Sequence, residues 1–234
     1  MNIALVLSGG TGVRLGTDIP KQYLEVGGKP ILSYCMETLL AHEEIDAVQI
    51  VADSVWQEDI SQWTTQLSGR EKFRGFSLPG ANRQLSILHG LEDIRKYAAD
   101  MDYVLIHDAA RPLLSEEMIT ECLRAGEEHE GAIPVLPMKD TVYCSENGKT
   151  ITSLLDRGAV FAGQAPEVFL LGKYYVANRR LLPDAILWIN GSTEPAVMAG
   201  MDIAMIPGDE GNFKITTPGD LERFREVRGR DRKG

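Results

Sequence analysis

An α/β fold is predicted, a single doubly wound and mostly parallel (Rossmann-like) sheet with an inserted β-hairpin arm. Three observations predict it. Short apolar runs alternate with amphipathic segments along most of the chain. The first run, Ile3 to Ser8, empties directly into a glycine-rich turn. The alternation breaks once, around Asn147-Gly148, the dipeptide most diagnostic of a tight hairpin.

The elements follow in order. "IALVLS" is apolar throughout, as a strand covered on both faces must be. Residues 30–43 place Ile31, Cys35 and Leu39 beside Leu32, Met36 and Leu40 on one helical face, with Pro30 in the first turn. "DAVQIVA" (46–52) is the second strand and residues 55–67 a helix of weaker periodicity. "FRGFSLPG" leads into a long helix over 82–99, marked by Leu85, Leu88, Leu91, Ile94 and Tyr97. "YVLIHDAARP" (103–112) is a strand ending in a polar turn. Ser115 caps a helix over 115–128 with acids in its first turn, and "GAIPVLP" (131–137) is again a strand. The β-rich flanks "DTVYCS" and "KTITSLL" form an arm at about 138–160. A helix over 172–182, a strand at 202–208 and a closing helix capped by Thr217, with Pro218 in its first turn, complete one domain over 1–234. The tail from Arg228 is expected to be solvated.

Composition narrows the partners. With 44% hydrophobic and 25% charged residues the chain suits a soluble domain, and no apolar stretch nears the roughly 20 residues that span a bilayer. The net charge of −10 argues against nucleic acid or a membrane surface. Any bound anion therefore depends on a few local cations, main-chain N–H groups or a metal. Cys35, Cys122 and Cys144 are odd in number and show no C-x-x-C spacing, so reduced buried thiols in the cytoplasm are expected. His42, His89, His107 and His129 lack ligand spacing for zinc.

Gly9, Gly10, Gly12 and Gly16 fall within eight residues, with Arg14 among them and Lys21 just after. Glycine lets main chain approach a ligand closely, and a strand-to-glycine-loop junction makes an anion cradle. A Walker loop is excluded because no lysine follows Gly16. A dinucleotide fingerprint would need glycine where Leu15 stands, which disfavours an oxidoreductase. In a doubly wound sheet this loop and "HDAARP" (107–112) open on one crevice beyond the strand ends.

The segment Gly9-Gly10-Thr11-Gly12-Val13-Arg14-Leu15-Gly16, then Pro20-Lys21-Gln22, resembles the opening of the sugar-nucleotide pyrophosphorylase and cytidylyltransferase superfamily. "HDAARP", Asp140-Thr141, Asp156-Arg157 and "NFKITTPGDL" (212–221) follow in order. Together they resemble the family of 2-C-methyl-D-erythritol 4-phosphate and ribitol-5-phosphate cytidylyltransferases, over nearly the whole chain. The resemblance implies transfer of CMP from CTP to a polyol phosphate with release of pyrophosphate. It implies Arg14, Lys21 and Lys214 as catalytic cations, and Ser8, Gly9, Gly10, Thr11 and Gly12 around the phosphates. Gly80, Ala81, Arg83 and Ser86 would meet the base, and Asp108 and Ala109 the nucleotide. Asp108 would position the ribose or the metal, Mg²⁺ carried with the triphosphate. Arg111, Thr141 and Arg157 would meet the second substrate, the last two from the arm of a neighbouring subunit, so a homodimer is implied.

Three departures bear on this. Ala165-Pro166-Glu167 stands where the family has T-P-Q, residues 189–200 lack its T-D-x-A-S-x-x-E stretch, and Ala81 replaces an acid common in the cytosine-facing turn. Glu167 and Glu194 could rebuild the pocket for a different polyol. Methylerythritol phosphate is the leading acceptor and ribitol phosphate the alternative. A nucleotide-binding dimer without catalysis is the reading of another class. Asp209 and Glu210 read as a solvated acidic turn, and His107 as a structural hydrogen bonder.

Overall fold

The computed structural model describes residues 1–10 and 19–231 of the 234-residue chain. Strand β1 (Asn2–Leu7) leads to a short 3-10 turn at Lys21–Tyr23, then to β2 (Glu25–Val26) and β3 (Lys29–Pro30). These two pair as a small hairpin across Gly27 and Gly28, whose positive φ values of 65° and 86° suit glycine. Helix α1 (Ile31–Ala41), β4 (Ala47–Val51), α2 (Ser54–Thr64), β5 (Phe73–Ser77), α3 (Arg83–Ile94) and β6 (Tyr103–Asp108) follow. Then come α4 (Glu116–Glu128), β7 (Gly131–Pro137), the arm strands β8 (Tyr143–Cys144) and β9 (Ser153–Leu154), β10 (Phe161–Gly163) and β11 (Glu167–Leu170). Helices α5 (Leu171–Arg179) and α6 (Glu194–Met198), β12 (Ile203–Pro207) and α7 (Pro218–Asp231) close the chain.

Among the described residues the main sheet has eight strands in the order β10-β7-β11-β6-β1-β4-β5, with β12 also on β7. Pairings β6–β1, β1–β4, β4–β5 and β12–β7 are parallel. Strand β11 runs antiparallel between β6 and β7, a position that the sequence reading leaves unassigned. Alternate residues of each central strand feed opposite layers. Ala4, Val6, Val48, Ile50 and Leu105 pack with α1 and α4, whereas Ile3, Leu5, Val51, Val104 and Ile106 pack with α3 and Tyr174 of α5. Two apolar faces explain why the strands read as unbroken apolar runs.

Several expectations shift at their edges. The long helix stops at Ile94, where residues 95–98 turn and the Asp102 carboxylate takes the Ala99 N–H at 2.7 Å, bringing the chain round to β6. Pro30 is the residue before α1, not its first turn. The arm hairpin forms at Asn147-Gly148 but pairs only two residues on each side. Cys35 and Cys122 are buried, while Cys144, on the arm, is half-exposed. Ser115 and Thr217 act as the caps expected; around Thr217 the Asp220 carboxylate accepts the N–H groups of Thr216 and Thr217 and Thr217 Oγ1 accepts the Asp220 N–H.

Gly90 sets the distance between α3 and the sheet, since a Cβ there would stand 2.5 Å from both Cδ atoms of fully buried Leu5. Gly90→Ala overfills this contact and is expected to cost about 1–3 kcal/mol, read as a lower urea midpoint at unchanged slope.

Candidate active site

Strands β1, β4, β5 and β6 run parallel, so their C-terminal ends share one edge of the sheet. A cavity of about 500 Å³ opens there. The turn after β1 brings Gly9 and Gly10, and the turn after β5 brings Gly80 and Ala81. Arg83 and Ser86 come from the first turns of α3, Asp108 from the end of β6, Lys21 from the 3-10 turn and Lys214 from beyond β12. Nine predicted residues thus line a single cavity although 205 positions separate Gly9 from Lys214.

The wall is held from behind by side chains that a motif reading does not single out as ligands. Gln22 Nε2 donates to the carbonyls of Ser8 (2.7 Å) and Gly10 (2.8 Å) and so fixes the glycine turn. The Tyr23 hydroxyl donates to the Ser8 carbonyl at 2.9 Å. A Cβ on Gly9 would come within 2.7 Å of Pro79 Cβ, whereas one on Gly10 would meet nothing within 4 Å among the described residues. Gly9 therefore serves loop-on-loop packing. Across the cavity a Cβ on Gly80 would strike Leu85 Cβ at 2.3 Å. Asn82, absent from the sequence prediction, caps α3 by accepting the Leu85 N–H (2.8 Å), and Ser86 Oγ accepts the Gly80 N–H (2.9 Å). Asn82 also lines the cavity, and S/T/D/N ahead of an apolar helix is the signal that could have found it.

Asp108 is the electrostatic centre. Its Oδ1 accepts from Arg83 Nη2 at 3.1 Å, and its Oδ2 accepts from Lys214 Nζ at 2.9 Å and lies 3.7 Å from Arg111 Nε. Burial works to raise the Asp108 pKa, but Arg83, Lys214 and Arg111 outweigh it and hold the carboxyl well below the usual range. For Arg83, burial lowers the pKa while Asp108 and Glu167 raise it, and the net direction is up. One carboxylate thus anchors three cations, leaving a positive surplus around the cavity.

The remaining predicted residues fall elsewhere. Thr11, Gly12 and Arg14 lie outside the described residues. Ser8 and Ala109 are buried behind the cavity; the Ala109 N–H pairs with Leu7 O, so both support the strand ends. Arg111 is turned inward, donating from Nη1 to Asn212 O at 2.7 Å, and does not line the cavity. Thr141 and Arg157 sit on the arm, where Arg157 Nη1 donates to Lys139 O at 2.9 Å. Glu167 is buried and accepts from the hydroxyls of Ser192 and Thr193, while Glu194 accepts the Asn190 N–H at 2.8 Å. Glu210 pairs with Lys139 on the surface. Asp108 does not fit a direct magnesium ligand as it stands, since both oxygens already face cations. Among the described residues no group of three or more His, Cys, Asp or Glu is placed to hold a metal. Among the described residues no helix is long and apolar enough to cross a membrane.

The family model described as "IspD: 2-C-methyl-D-erythritol 4-phosphate cytidylyltransferase" matches residues 2–226. The chain belongs to this family. It is similar to a ribitol-5-phosphate cytidylyltransferase of Streptococcus agalactiae, 32% identical over 97% of this chain and 95% of that one. A 2-C-methyl-D-erythritol 4-phosphate cytidylyltransferase of Geobacter metallireducens is 32% identical over 93% of each. A bifunctional IspD/IspF enzyme of Bradyrhizobium diazoefficiens is 34% identical over 94% of this chain, which spans about half (54%) of that relative's length. A crystal structure of a 4-diphosphocytidyl-2C-methyl-D-erythritol synthase superposes with TM-score 0.79 at 27% identity, covering 97% of each chain. The fold is thus that of the family, an α/β body around a mostly parallel central sheet.

His107 lies beside this site, fully buried, with Nε2 against Arg111 O at 3.0 Å. Burial is the main cause that pushes its pKa down, to about 4. The unfolded chain binds a proton near pH 6.5 that the native imidazole refuses, so this contribution to stability is intact above pH 6.5 and lost as pH falls to 4. His107→Gln is expected to remove about 3 kcal/mol of the acid-induced loss between those limits, read from urea melts at each pH.

Proposed function

We propose that this protein catalyses CTP-dependent cytidylyl transfer, joining CMP to a polyol phosphate and releasing pyrophosphate. The observation that carries the reading is the convergence of Lys21, Arg83 and Lys214 with the Gly9–Gly10 turn on one cavity, in a chain of net charge −10. An acidic protein that gathers cations at one point is built to hold a polyanion there.

The chemistry needs little besides charge and position. An oxygen of the acceptor phosphate attacks the α-phosphorus in line, a new P–O bond forms, and the bond to the bridging oxygen breaks as pyrophosphate departs. Lys21 and Lys214 stand on the two sides of that phosphorus, with Arg14 joining from the glycine loop. The Gly80–Ala81 turn, braced by Ser86, receives the cytosine. Asp108 keeps Arg83 and Lys214 aimed while the site is empty and meets the ribose when it fills. Magnesium bound by the phosphate oxygens would offset part of the triphosphate charge. The acceptor is read by Thr141 and Arg157, and Arg111 would join them only by turning out from Asp108 and Asn212 O. Because Thr141 and Arg157 lie on the arm, away from this cavity, the reading includes a homodimer in which the arm of one copy serves its partner, in the cytoplasm.

Methylerythritol phosphate is the leading acceptor, in keeping with the family match over residues 2–226. Ribitol 5-phosphate is the second reading. It is in keeping with the ribitol-5-phosphate cytidylyltransferase that is 32% identical over 97% of this chain.

Pyrophosphate release from CTP, followed across a panel of polyol phosphates, tests the reading. One acceptor should support turnover, and Lys21→Ala and Lys214→Ala should each lower it by at least about 10²-fold. CTP binding with silence across the whole panel would instead indicate a nucleotide-binding module.

A further inference from the structure

We propose that Gln164 is a positioning residue that sets where Lys214 stands, acting through the turn that leads to it; this rests on the transferase reading of Lys214. Gln164 follows β10 directly, where the chain returns from the arm. Its side chain is buried and pairs with the main chain of Asp209 in both directions. Nε2 donates to Asp209 O at 2.9 Å, and Oε1 accepts the Asp209 N–H at 3.0 Å. The next residue extends the clamp, for the Ala165 carbonyl accepts Asn212 Nδ2 at 2.7 Å. Two neighbouring residues therefore hold both ends of the turn 209–212, and Lys214 comes two residues later.

The fit is close. A Cβ on Gly208 would stand 2.6 Å from Gln164 Oε1 and 3.0 Å from Val135 O, so the turn lies hard against the amide. Beyond it, Ile215 N–H donates to Ala110 O at 2.8 Å and Lys214 Nζ reaches Asp108 at 2.9 Å. Lys214 is thus suspended between fixed points on either side. The turn is also held at its far end, where Arg111 Nη1 donates to Asn212 O at 2.7 Å, whereas the Lys139–Glu210 pair, with side chains 71% and 60% exposed, contributes little. The clamp uses the carbonyl of residue 165 and not its side chain, so alanine there leaves it intact.

Asp209 is exposed and its two hydrogen bonds to Gln164 are only part-buried, so water entering beside the turn can take over both when the amide is removed. The fold then survives, and the loss falls on geometry. Misplacing a reacting group by about 1 Å can cost up to about 10²-fold in rate.

The test measures pyrophosphate release with CTP and the acceptor polyol phosphate. Gln164→Ala is expected to lower kcat about tenfold, with KM for CTP within about twofold of wild type. Gln164→Glu, which keeps the shape and the acceptor but loses the donor to Asp209 O, should fall by a similar factor. In a Lys214→Ala background Gln164→Ala should add less than about twofold, because the two substitutions act through one group. Independently of activity, lysines can be carried as ¹³C-dimethyl amines and the Lys214 resonance identified by its loss in Lys214→Ala. That resonance should move in Gln164→Ala. Full kcat in both variants, an undiminished tenfold loss without Lys214, or an unmoved resonance overturns the proposal. If the wild-type protein releases no pyrophosphate with any acceptor, the transferase reading fails while the resonance still decides the role of Gln164.

Discussion

Asp108 closes β6 at the point where the sheet meets its cavity, and its carboxylate holds together groups that the chain supplies from far apart. Arg83 arrives from the start of α3, Lys214 from beyond β12 and Arg111 from the turn just after the strand. Without a negative charge there, three neighbouring cations would repel one another beside a low-dielectric core. With it, they are concentrated and aimed, and some of their charge is still uncompensated. A buried carboxylate facing several cations contributes less to stability than its contacts suggest, since desolvation offsets much of the attraction. Its value is in placement.

The sheet makes that placement possible. Parallel strands deliver their following turns to one edge, so the glycine turn, the Gly80–Ala81 turn and Asp108 meet without any long loop. Helices pack on both faces of the sheet, and supporting side chains fix the turns themselves. Gln22 anchors the glycine turn, Ser86 and Asn82 anchor the turn opposite, and Gln164 with Asn212 anchors the segment leading to Lys214. The residues that would touch a ligand are thus mostly cations and glycines, and those that hold them are mostly amides and hydroxyls.

Much of this is legible in the sequence because its signals are local. An apolar run followed by clustered glycines and cations marks β1 and the cradle, and caps such as Ser115 and Thr217 mark helix starts. Residues Gly9, Gly80 and Lys214, drawn to one site by the family resemblance alone, line one cavity. Strand β11 is not legible, because four residues running straight into α5 show no period and its antiparallel slot is a tertiary outcome. The Gly27-Gly28 hairpin carries a local signal that can be read, though its strands are only two residues long. Arg111 turns inward because Asp108 and the Asn212 carbonyl outcompete solvent, a choice no spacing encodes. Thr141 and Arg157 stay apart from the cavity because the arm leaves the body of the fold, and one sequence does not show what an arm reaches.

A crystal structure of the complex with CTP tests the central claim most directly. The account predicts the triphosphate against Gly9 and Gly10, with the amines of Lys21 and Lys214 within hydrogen-bonding distance of its oxygens and the base at Gly80–Ala81. A nucleotide bound away from this edge, or bound here with Lys214 still directed only at Asp108, would contradict it.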